Sequence, residues 1–324
     1  MSLTLKQLRS FLTLSETRHF GHAAARLRIS QPALSLQVKE MEAVLGARLV
    51  DRLPKGVQLT RAGQALADRA PGVLAAMEDL EGAVRWQDGL SGRLRLGVIP
   101  TLAPYLLPLA LTRIRAADLT LDIRVRESQT DALLSALKDG RLDAAVVALP
   151  LGDPALTALP LFTDRFVLAG SAARLAQWAA TAEALRPRQI DPDQLLLLDE
   201  GHCLADQALE VCGIGGRRQV DLGASSLATL CGLVAEGFGL TLLPETAVRT
   251  EAAASPGLAL MRFAAPEPSR DMALVLRAGS DGAGWAHDLA ALLRGAADEL
   301  LEHAAAAIPS CGPGTALDKR RGEA

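Results

Sequence analysis

The stretch that decides the fold is Phe20-Gly21-His22-Ala23-Ala24-Ala25-Arg26-Leu27-Arg28-Ile29-Ser30-Gln31-Pro32-Ala33-Leu34-Ser35. Its first half places apolar side chains at helical spacing, and a short link then leads to the start of another helix. Ser30 is a preferred N-cap residue, and Pro32 lies in the first turn, where a missing N–H costs nothing. We therefore predict two helices joined by a tight turn.

The flanking residues extend this unit to a winged helix-turn-helix. Upstream, apolar residues recur at helical spacing over residues 5–16 and predict a first helix. Downstream of the third helix, short alternating stretches around Pro54-Lys55-Gly56 indicate a small β-ribbon, or wing. Three helices and a wing predict a winged helix-turn-helix over residues 1–61.

The distribution of charge favours a nucleic-acid partner for this unit. Residues 1–62 carry ten Lys and Arg against four Asp and Glu, a net charge of +6, in a chain whose net charge is −3. The remainder of the chain therefore carries −9. A basic module joined to an acidic body is typical of a DNA reader attached to a second function. A merely solvated basic surface is the alternative.

Residues 62–90 predict a linker built on a long helix that ends near Trp86. Apolar residues recur at steps of four and three, as in a coiled coil: Leu66, Ala70, Val73, Met77, Leu80 and Val84. One face would then pack against an identical helix, and packing on the chain's own body is the alternative. Pro71-Gly72 interrupts the pattern, so we expect a kink or a break there.

Residues 91–308 alternate between strand and helix patterns, which predicts an α/β domain. We expect strands near 93–99, 121–125, 144–148, 165–169, 195–198, 218–222, 240–243, 258–262 and 272–276, and helices near 104–116, 131–138, 227–236 and 285–307. Because about 215 residues are more than one such sheet needs, we expect two lobes with a cleft. Lobe I would span about 91–163 and 268–308, and lobe II about 164–267. Residues 309–324, rich in Pro, Gly and charge, predict a disordered tail.

Two cysteines, Cys203 and Cys212, lie nine positions apart. Structural disulfides are rare inside cells, so a close pair there is more typical of a redox device or a metal site. A zinc site is not expected, because no closely spaced C-x-x-C pair accompanies them, and we predict neither a metal nor a cofactor. Cys231 falls in an apolar helix pattern and is predicted to be a core residue, and Cys311 to be incidental.

The sequence gives no sign of a membrane segment. It contains no apolar run of about 18 residues, and its first residues lack the uninterrupted apolar core of a signal peptide. We therefore expect a cytoplasmic protein without a membrane partner.

The N-terminal motifs resemble those of the LysR-type transcriptional regulators. The resemblance is carried by Leu8-Arg9-Ser10-Phe11, the decisive stretch from Phe20 to Ser35, Glu42, Leu45-Gly46, Leu49, Arg52, Leu59-Thr60 and Ala62-Gly63. It implies an N-terminal winged helix-turn-helix, a dimerising linker helix, and a two-lobed α/β effector domain similar to periplasmic binding proteins. It also implies a regulator rather than an enzyme, a dimer of dimers (a homotetramer) on pseudo-palindromic promoter DNA, with RNA polymerase as a further partner.

Within that family, the effector domain is similar to the OxyR-like hydrogen peroxide sensors. The most specific match is Gly201-His202-Cys203-Leu204 with Asp206-Gln207 and Cys212, and residues 97–101, 104–108, 127–130, 197–200, 224–227 and 266–270 also agree. The resemblance implies that Cys203 is the peroxidatic residue and Cys212 the resolving one. It places six residues around the peroxide or the thiolate: Thr101, Thr130, Gly201, His202, Asp206 and Arg270.

That resemblance also implies how the regulator would work. Oxidation would activate or repress peroxide-defence genes, and a thiol-disulfide reductase such as glutaredoxin or thioredoxin would reset the disulfide. A regulator that answers a small anionic ligand in the inter-lobe cleft, with Cys203 a bystander, is one alternative. A thiol peroxidase with Cys203 as nucleophile is the other, and the basic N-terminal unit argues against it.

Helix geometry indicates which residues would meet DNA. If Leu34, Val38 and Met41 face inward, the outer face of the third helix presents Pro32, Ser35, Leu36 and Lys39, and Gln31 lies at its exposed N-terminus. Ala33 completes the predicted DNA-binding set of this helix, and Ser30 with the helix N-terminus would also hold a phosphate. Gln and Ser side chains read base edges, and an exposed leucine meets a thymine methyl. The wing would supply phosphate contacts through Arg52, Lys55 and Thr60. The alternatives are that Ser30 only caps and that Leu36 only packs.

Helix geometry also predicts a switch. If residues 203–212 are helical, nine steps of ~1.5 Å hold the two cysteine α-carbons about 13 Å apart, whereas a disulfide needs them within about 7 Å. Oxidation must therefore unwind this segment, and reduction must restore it.

Overall fold

The structure is a computed structural model that describes residues 2–53, 56–85, 93–117, 121–178, 185–199, 203–213, 224–280 and 284–308. The predictions for Pro54, Lys55, Gly201, His202, Cys311, the strand near 218–222 and the tail at 309–324 fall outside these residues. The chain divides into two compact units, Met1–Gln87 with Lys138–Arg141, and Asp88–Leu137 with Leu142–Ala324.

The first unit is the winged helix-turn-helix followed by a long helix. Its elements are α1 (Leu5–Thr17), α2 (Phe20–Leu27), α3 (Gln31–Leu45), β1 (Val50–Leu53), β2 (Gly56–Leu59) and α4 (Arg61–Arg85). β1 and β2 pair antiparallel and form the wing. Thr4, His19 and Ser30 each accept a hydrogen bond from the first turn of the helix that follows. The three helices and the wing confirm the predicted DNA-binding fold.

One apolar core holds this unit together. Phe11, Leu14, Leu34 and Met41 are fully buried in it, and α4 contributes Ala70. α4 follows the wing directly, and at Gly63 its backbone comes very close to the backbone of Leu49, the residue before β1. A Cβ built on Gly63 would lie 2.0 Å from the carbonyl oxygen of Leu49, so this position of α4 requires glycine.

The helix α4 runs through Pro71 without a break over 25 residues. A break at Pro71 is therefore excluded, and the kink there stays a prediction. A proline inside a helix removes one backbone hydrogen bond, but the preceding turns pack on the core through Leu66 and Ala70, and such tertiary contacts supply most helix stability. Val73 and Leu80, both on the predicted seam, are 51% and 61% exposed.

The second unit is an α/β domain whose described strands form a seven-stranded sheet. The strands are β3 (Arg93–Val98), β4 (Asp122–Glu127), β5 (Ala144–Ala148), β6 (Leu156–Ser171), β7 (Thr241–Pro244), β8 (Leu258–Arg262) and β9 (Ser269–Arg277). Their order is β4-β3-β5-β9-β6-β7, with β8 also paired to β6. β3 is parallel to β4 and β5, and the remaining pairs are antiparallel.

Helices cover this sheet. They are α5 (Ala103–Ala117), α6 (Thr130–Lys138), α7 (Ala172–Ala176), α8 (Cys203–Cys212), α9 (Leu227–Ala235), α10 (Glu245–Ala254) and α11 (Gly284–Ala307). The sequence did not predict α7 or α10. α10 begins with Glu245 and Thr246, which are buried although they are polar, and this hides the usual apolar pattern of a packed helix.

The long strand β6 joins the two halves of the sheet. Residues 156–165 pair with β9, and residues 166–171 pair with β7 and β8. The sequence predicted only residues 165–169, because a register irregularity between Pro160 and Phe162 interrupts the alternating pattern before them.

The predicted strand at 195–198 is wrong as a regular strand. It makes single parallel bridges, from Leu195 to Leu240 and from Leu198 to Ala224. A regular strand needs consecutive pairs with one neighbour, and this segment pairs with each neighbour at one residue. The segment still runs in the parallel sense and leads towards α8.

We predict that Gly63→Ala destabilises the first unit by about 1–3 kcal/mol, because a methyl group would collide with backbone that has little freedom to move. Gly72→Ala is the matched control, since it lies in the same helix with nothing within 4 Å of the added carbon. It is expected to stabilise that helix by about 0.5–1 kcal/mol. Hydrogen exchange of the α1–α3 amides in the full chain measures both effects, and equal protection in the two variants would contradict the prediction.

Candidate functional site

The first candidate site is the outer face of α3. Leu34, Val38 and Met41 are buried beneath it. The opposite face presents the predicted DNA-binding set, with Ala33 and Ser35 half-buried and the others exposed: Ser30, Gln31, Pro32, Leu36 and Lys39. Leu36 is 58% exposed, so it is not a packing contact within the described part of the chain.

Ser30 and Thr60 lie at the starts of α3 and α4, and they differ in whether the hydroxyl proton is still available for a hydrogen bond. Ser30 Oγ accepts a hydrogen bond from the Ala33 backbone N–H at 3.3 Å, so its own proton stays available to a ligand. Thr60 Oγ1 donates to the Arg48 carbonyl at 2.6 Å and accepts from the Gly63 N–H at 3.1 Å. Thr60 therefore fixes the start of α4, and its proton is already used.

Arg52 is held against α3. Its Nη2 donates to Ser35 Oγ at 2.7 Å, and its guanidinium carbon lies 4.9 Å from the centre of the Phe20 ring. The side chain thus ties the wing to α2 and α3. Because Arg52 donates to Ser35, the Ser35 hydroxyl keeps its own proton for a base-edge acceptor. The sequence analysis placed Arg52 among the phosphate contacts and missed this link.

The second candidate site is built on α8, which begins at Cys203 and ends at Cys212. Both thiols are free, with Cys203 half-buried and Cys212 buried. Gly213 follows with a φ of +68°, the left-handed conformation that ends a helix. Residues 203–212 are therefore helical, as the predicted switch requires. In this state the α-carbons of Cys203 and Cys212 are about 13 Å apart, too far for a disulfide.

The buried thiols are held in the neutral form. Burial raises the pKa of the Cys212 thiol to about 11. Burial, together with the charge of Glu251, raises the pKa of Cys231 to about 12. A neutral thiol is a poor nucleophile, which is consistent with Cys231 as a core residue and with Cys212 as the second rather than the first thiol to react.

Two threonines lie at one edge of the sheet. Thr101 follows β3, and Thr130 begins α6 after β4, while Val98 and Glu127 at the ends of these parallel strands are paired. In α/β domains such carboxyl ends form ligand sites. Thr130 Oγ1 is buried and has no hydrogen-bond partner among the described residues. It is therefore a polar group suited to a small polar ligand.

Arg270 binds Thr101 directly. Its Nη1 donates to Thr101 Oγ1 at 2.9 Å, and its Nη2 donates to the Thr101 carbonyl at 3.3 Å. Arg270 is 3% exposed and forms an ion pair with Asp164, which is fully buried, with an Nη2–Oδ2 distance of 2.9 Å. The structure therefore brings together Thr101 and Arg270 of the predicted set.

Other members of that set lie on or beside α8. Asp206 is exposed in the first turn of α8, and Gly201 and His202 lie outside the described residues. Sequence reasoning missed two residues. Gln207 Oε1 is buried without a partner among the described residues, one turn after Cys203, although it belongs to the same motif. Asp164 gave no sequence signal, because only the pairing of β6 with β9 places it opposite Arg270.

The described residues show neither a metal-binding group nor a membrane-spanning helix. None of their His, Cys, Asp and Glu side chains form a group of three or more that could hold a metal ion. No described helix is both long and apolar enough to cross a bilayer.

Comparisons with known proteins cover nearly the whole chain. Residues 5–64 match the family model "bacterial regulatory helix-turn-helix protein, lysR family", and residues 87–298 match "LysR substrate binding domain". A relative from Streptomyces viridosporus, described as a probable hydrogen peroxide-inducible genes activator, is 45% identical over 300 residues, covering 92% of this chain and 95% of its own.

Two of the solved structures that resemble this chain are OxyR proteins. Full-length OxyR from Pseudomonas aeruginosa with a cysteine-to-aspartate substitution is 33% identical with a TM-score of 0.70, covering 90% of this chain and 98% of that one. A cysteine-to-serine mutant of Corynebacterium glutamicum OxyR with bound hydrogen peroxide is 36% identical with a TM-score of 0.62, covering 94% and 98%.

We predict that Arg52→Ala changes sequence discrimination more than it changes the salt dependence of DNA binding. Losing Arg52 would free Ser35 and relax the preference at the bases that Ser35 is predicted to read, while few counterions would be released. Lys55→Ala is the control for a phosphate contact, and it should weaken binding to all sequences and reduce the salt slope by about 1. Affinities for a selected site and its single-base variants, measured at several salt concentrations, compare the two. An Arg52→Ala chain that behaves like Lys55→Ala would overturn the prediction.

We also predict an alkaline loss of stability that depends on Cys212. Burial raises the pKa of this thiol from 9.0 to about 11, so the folded chain binds the proton more tightly than the unfolded chain. The stability that the neutral thiol contributes is full below pH 9 and is lost as the pH rises towards 11. From about pH 8 to about pH 10.5, the reduced wild-type chain should lose about 2 kcal/mol more unfolding free energy than Cys212→Ala. Anaerobic urea titrations measure this difference, and equal losses would refute it.

Proposed function

The chain belongs to the LysR family of bacterial transcriptional regulators, and we propose that it senses hydrogen peroxide at Cys203 to control peroxide-defence genes. It is a DNA-binding transcription regulator and not an enzyme, and members of its family bind promoter DNA and form oligomers. The observation that carries the proposal is the placement of two free thiols at opposite ends of one helix. Relatives described as hydrogen peroxide-inducible genes activators support the same effector.

The proposed reaction has two steps. The Cys203 thiolate attacks one peroxide oxygen, so that an S–O bond forms while the O–O bond breaks, and the other oxygen leaves as hydroxide and takes up a proton to become water. The Cys212 thiol then attacks the Cys203 sulfenic acid, so that an S–S bond forms and a second water leaves. Cys203 lies at the first residue of α8, and a helix N-terminus favours negative charge such as that of a thiolate.

Polar groups around the sensor would hold the peroxide. The Thr130 hydroxyl, which has no partner in the described part of the chain, and the free proton of Thr101 are the right kind of groups to bind a small oxygen ligand. In the same proposal His202 and Asp206 help to protonate the leaving hydroxide, Gly201 lets the backbone approach, and Arg270 supports the negative charge. The alternative effector, a small anion, would use the same hydroxyls without Cys203.

The disulfide would act by removing α8. Cys212 is packed in a core that includes Leu204 and Ala208 from the same helix. Bringing Cys212 to Cys203 therefore requires that the helix unwinds and that this packing is lost. We propose that the refolded segment changes the surface of the effector domain, and through it the oligomer and the spacing of the DNA half-sites.

The other parts of the chain would bind DNA and assemble the regulator. Residues 1–61 would read a pseudo-palindromic promoter through Ser30, Gln31, Pro32, Ala33, Ser35, Leu36 and Lys39. On the wing, Lys55 would contact a phosphate and Arg52 would position Ser35. Thr60, whose proton is bonded to the Arg48 carbonyl, would hold the start of α4 beside them. Residues 62–90 would dimerise, and the exposure of Val73 and Leu80 supports this. Residues 91–308 would form the two-lobed sensor. A dimer of dimers would engage RNA polymerase, and a thiol-disulfide reductase would reset Cys203 and Cys212.

We predict that stoichiometric hydrogen peroxide rapidly produces a Cys203–Cys212 disulfide in the reduced protein. Mass mapping of blocked thiols measures it, and footprinting of the same samples is expected to show a changed contact spacing on DNA. Cys203→Ser should abolish both results, while Cys212→Ser should stop at a sulfenic acid on Cys203. A Cys203 that stays unmodified while other thiols oxidise would reject the proposal and leave a ligand-responsive regulator.

A further inference from the structure

Asp164 and Arg270 are direct partners across the sheet. They oppose each other in the antiparallel register of β6 and β9, next to the point where β6 changes from pairing with β9 to pairing with β7 and β8. Both side chains are almost completely buried. A buried ion pair is costly to form and is tolerated only when its hydrogen bonds are well satisfied, so its geometry is informative.

Four hydrogen bonds fix the Asp164 carboxylate. Oδ2 accepts from Arg270 Nε at 3.1 Å, from Arg270 Nη2 at 2.9 Å and from Thr246 Oγ1 at 2.9 Å. Oδ1 accepts from the Thr246 backbone N–H at 3.1 Å. The carboxylate is therefore anchored from α10 on one side and holds the guanidinium on the other.

The same bonds fix the direction of the Arg270 guanidinium. Four of its five N–H groups point to Asp164 or to Thr101, and its carbon lies 6.0 Å from the centre of the Phe166 ring. A planar guanidinium held by a carboxylate on one edge has little rotational freedom left. The orientation of Arg270 towards Thr101 thus depends on Asp164.

Arg270 in turn decides what the Thr101 hydroxyl can do. A hydroxyl has one proton and two lone pairs, and Thr101 Oγ1 already accepts from Arg270 Nη1 at 2.9 Å. Its proton is then directed away from Arg270 and is ready for an acceptor. Without Arg270 in this place, the hydroxyl would be free to rotate and to accept instead of donate.

We propose that Asp164 is a positioning residue of the sensor, which holds Arg270 so that the Thr101 hydroxyl donates a hydrogen bond to the leaving peroxide oxygen. This rests on the proposed reaction at Cys203. As the sulfur is oxidised and gains one oxygen, the O–O bond breaks, and the departing oxygen develops the negative charge that the Thr101 proton stabilises. That oxygen then leaves as hydroxide and, with the help of His202 and Asp206, takes up a proton to become water.

If the Asp164–Arg270 pair had only a structural role, its variants would change stability and not the rate of Cys203 oxidation. If Asp164 only held β6, β9 and α10 together, any loss of its bonds would act through stability. Thr246→Val is the matched control for this, because it removes the Thr246 Oγ1 bond to Asp164 at nearly constant volume and leaves both Arg270 bonds in place.

The experiment compares rates of Cys203 oxidation in the full chain. All variants carry Cys212→Ser, so that the reaction stops at the sulfenic acid, which is trapped and counted by mass spectrometry after quenched mixing with hydrogen peroxide. The set is the parent, Asp164→Asn, Thr246→Val, Thr101→Val, and Asp164→Asn with Thr101→Val. Circular dichroism and urea unfolding show whether each variant is folded.

We expect Asp164→Asn and Thr101→Val each to lower the second-order rate constant by about tenfold or more. Thr246→Val should stay within about twofold of the parent. The double variant should be no slower than Thr101→Val alone, because Asp164 acts through Thr101 and the two effects are then not additive.

The same rates separate a failure of the proposed function from a failure of the positioning role. A parent that peroxide does not oxidise refutes the proposed function. A parent that reacts, together with Asp164→Asn at the same rate or with fully additive losses in the double variant, refutes only the positioning role. If Asp164→Asn does not fold, Arg270→Lys takes its place, since an ammonium group keeps the charge beside Asp164 but lacks the planar fork. A parental rate in folded Arg270→Lys then overturns the proposal.

Discussion

The length of one helix constrains everything that the sensor does. α8 places Cys203 at its first residue and Cys212 at its last, so the regular backbone keeps their α-carbons about 13 Å apart in the reduced chain. A disulfide and this helix exclude each other. The chemistry of two sulfur atoms is thereby coupled to the folding of ten residues and to the core in which Leu204, Ala208 and Cys212 are packed.

The two thiols of the proposed reaction need opposite environments. The attacking thiol needs partial exposure and groups that tolerate negative charge, and Cys203 is half-buried at a helix N-terminus. The second thiol is stored neutral, since burial raises the pKa of Cys212 to about 11. Thr101, Arg270 and Asp164 lie on strands or next to them and bond to one another outside α8. The proposed sensor would therefore combine a reaction site built on the sheet with a helix that refolds.

The sequence predicted the elements that rest on local signals. The caps and apolar spacing around Ser30 determined the helix-turn-helix, and alternation around Pro54-Lys55-Gly56 indicated the wing. It did not predict what depends on distant contacts. Helix α4 continues through Pro71 because its earlier turns are packed, and β6 begins nine residues before the predicted strand because its pairing with β9 resumes after an irregularity.

The candidate sites show the same division. The cysteine spacing, Thr101 and Arg270 could be taken from a motif, whereas Asp164 and the Arg52–Ser35 bond arise from strand register and from tertiary packing.

The central claim, that oxidation and the α8 helix exclude each other, is tested most directly by hydrogen exchange of the amides of residues 204–212 in the reduced and the disulfide-bonded protein. Loss of their protection on oxidation, with no change in Cys203→Ser treated in the same way, is the predicted result. A fully formed Cys203–Cys212 disulfide with these amides still protected would contradict it.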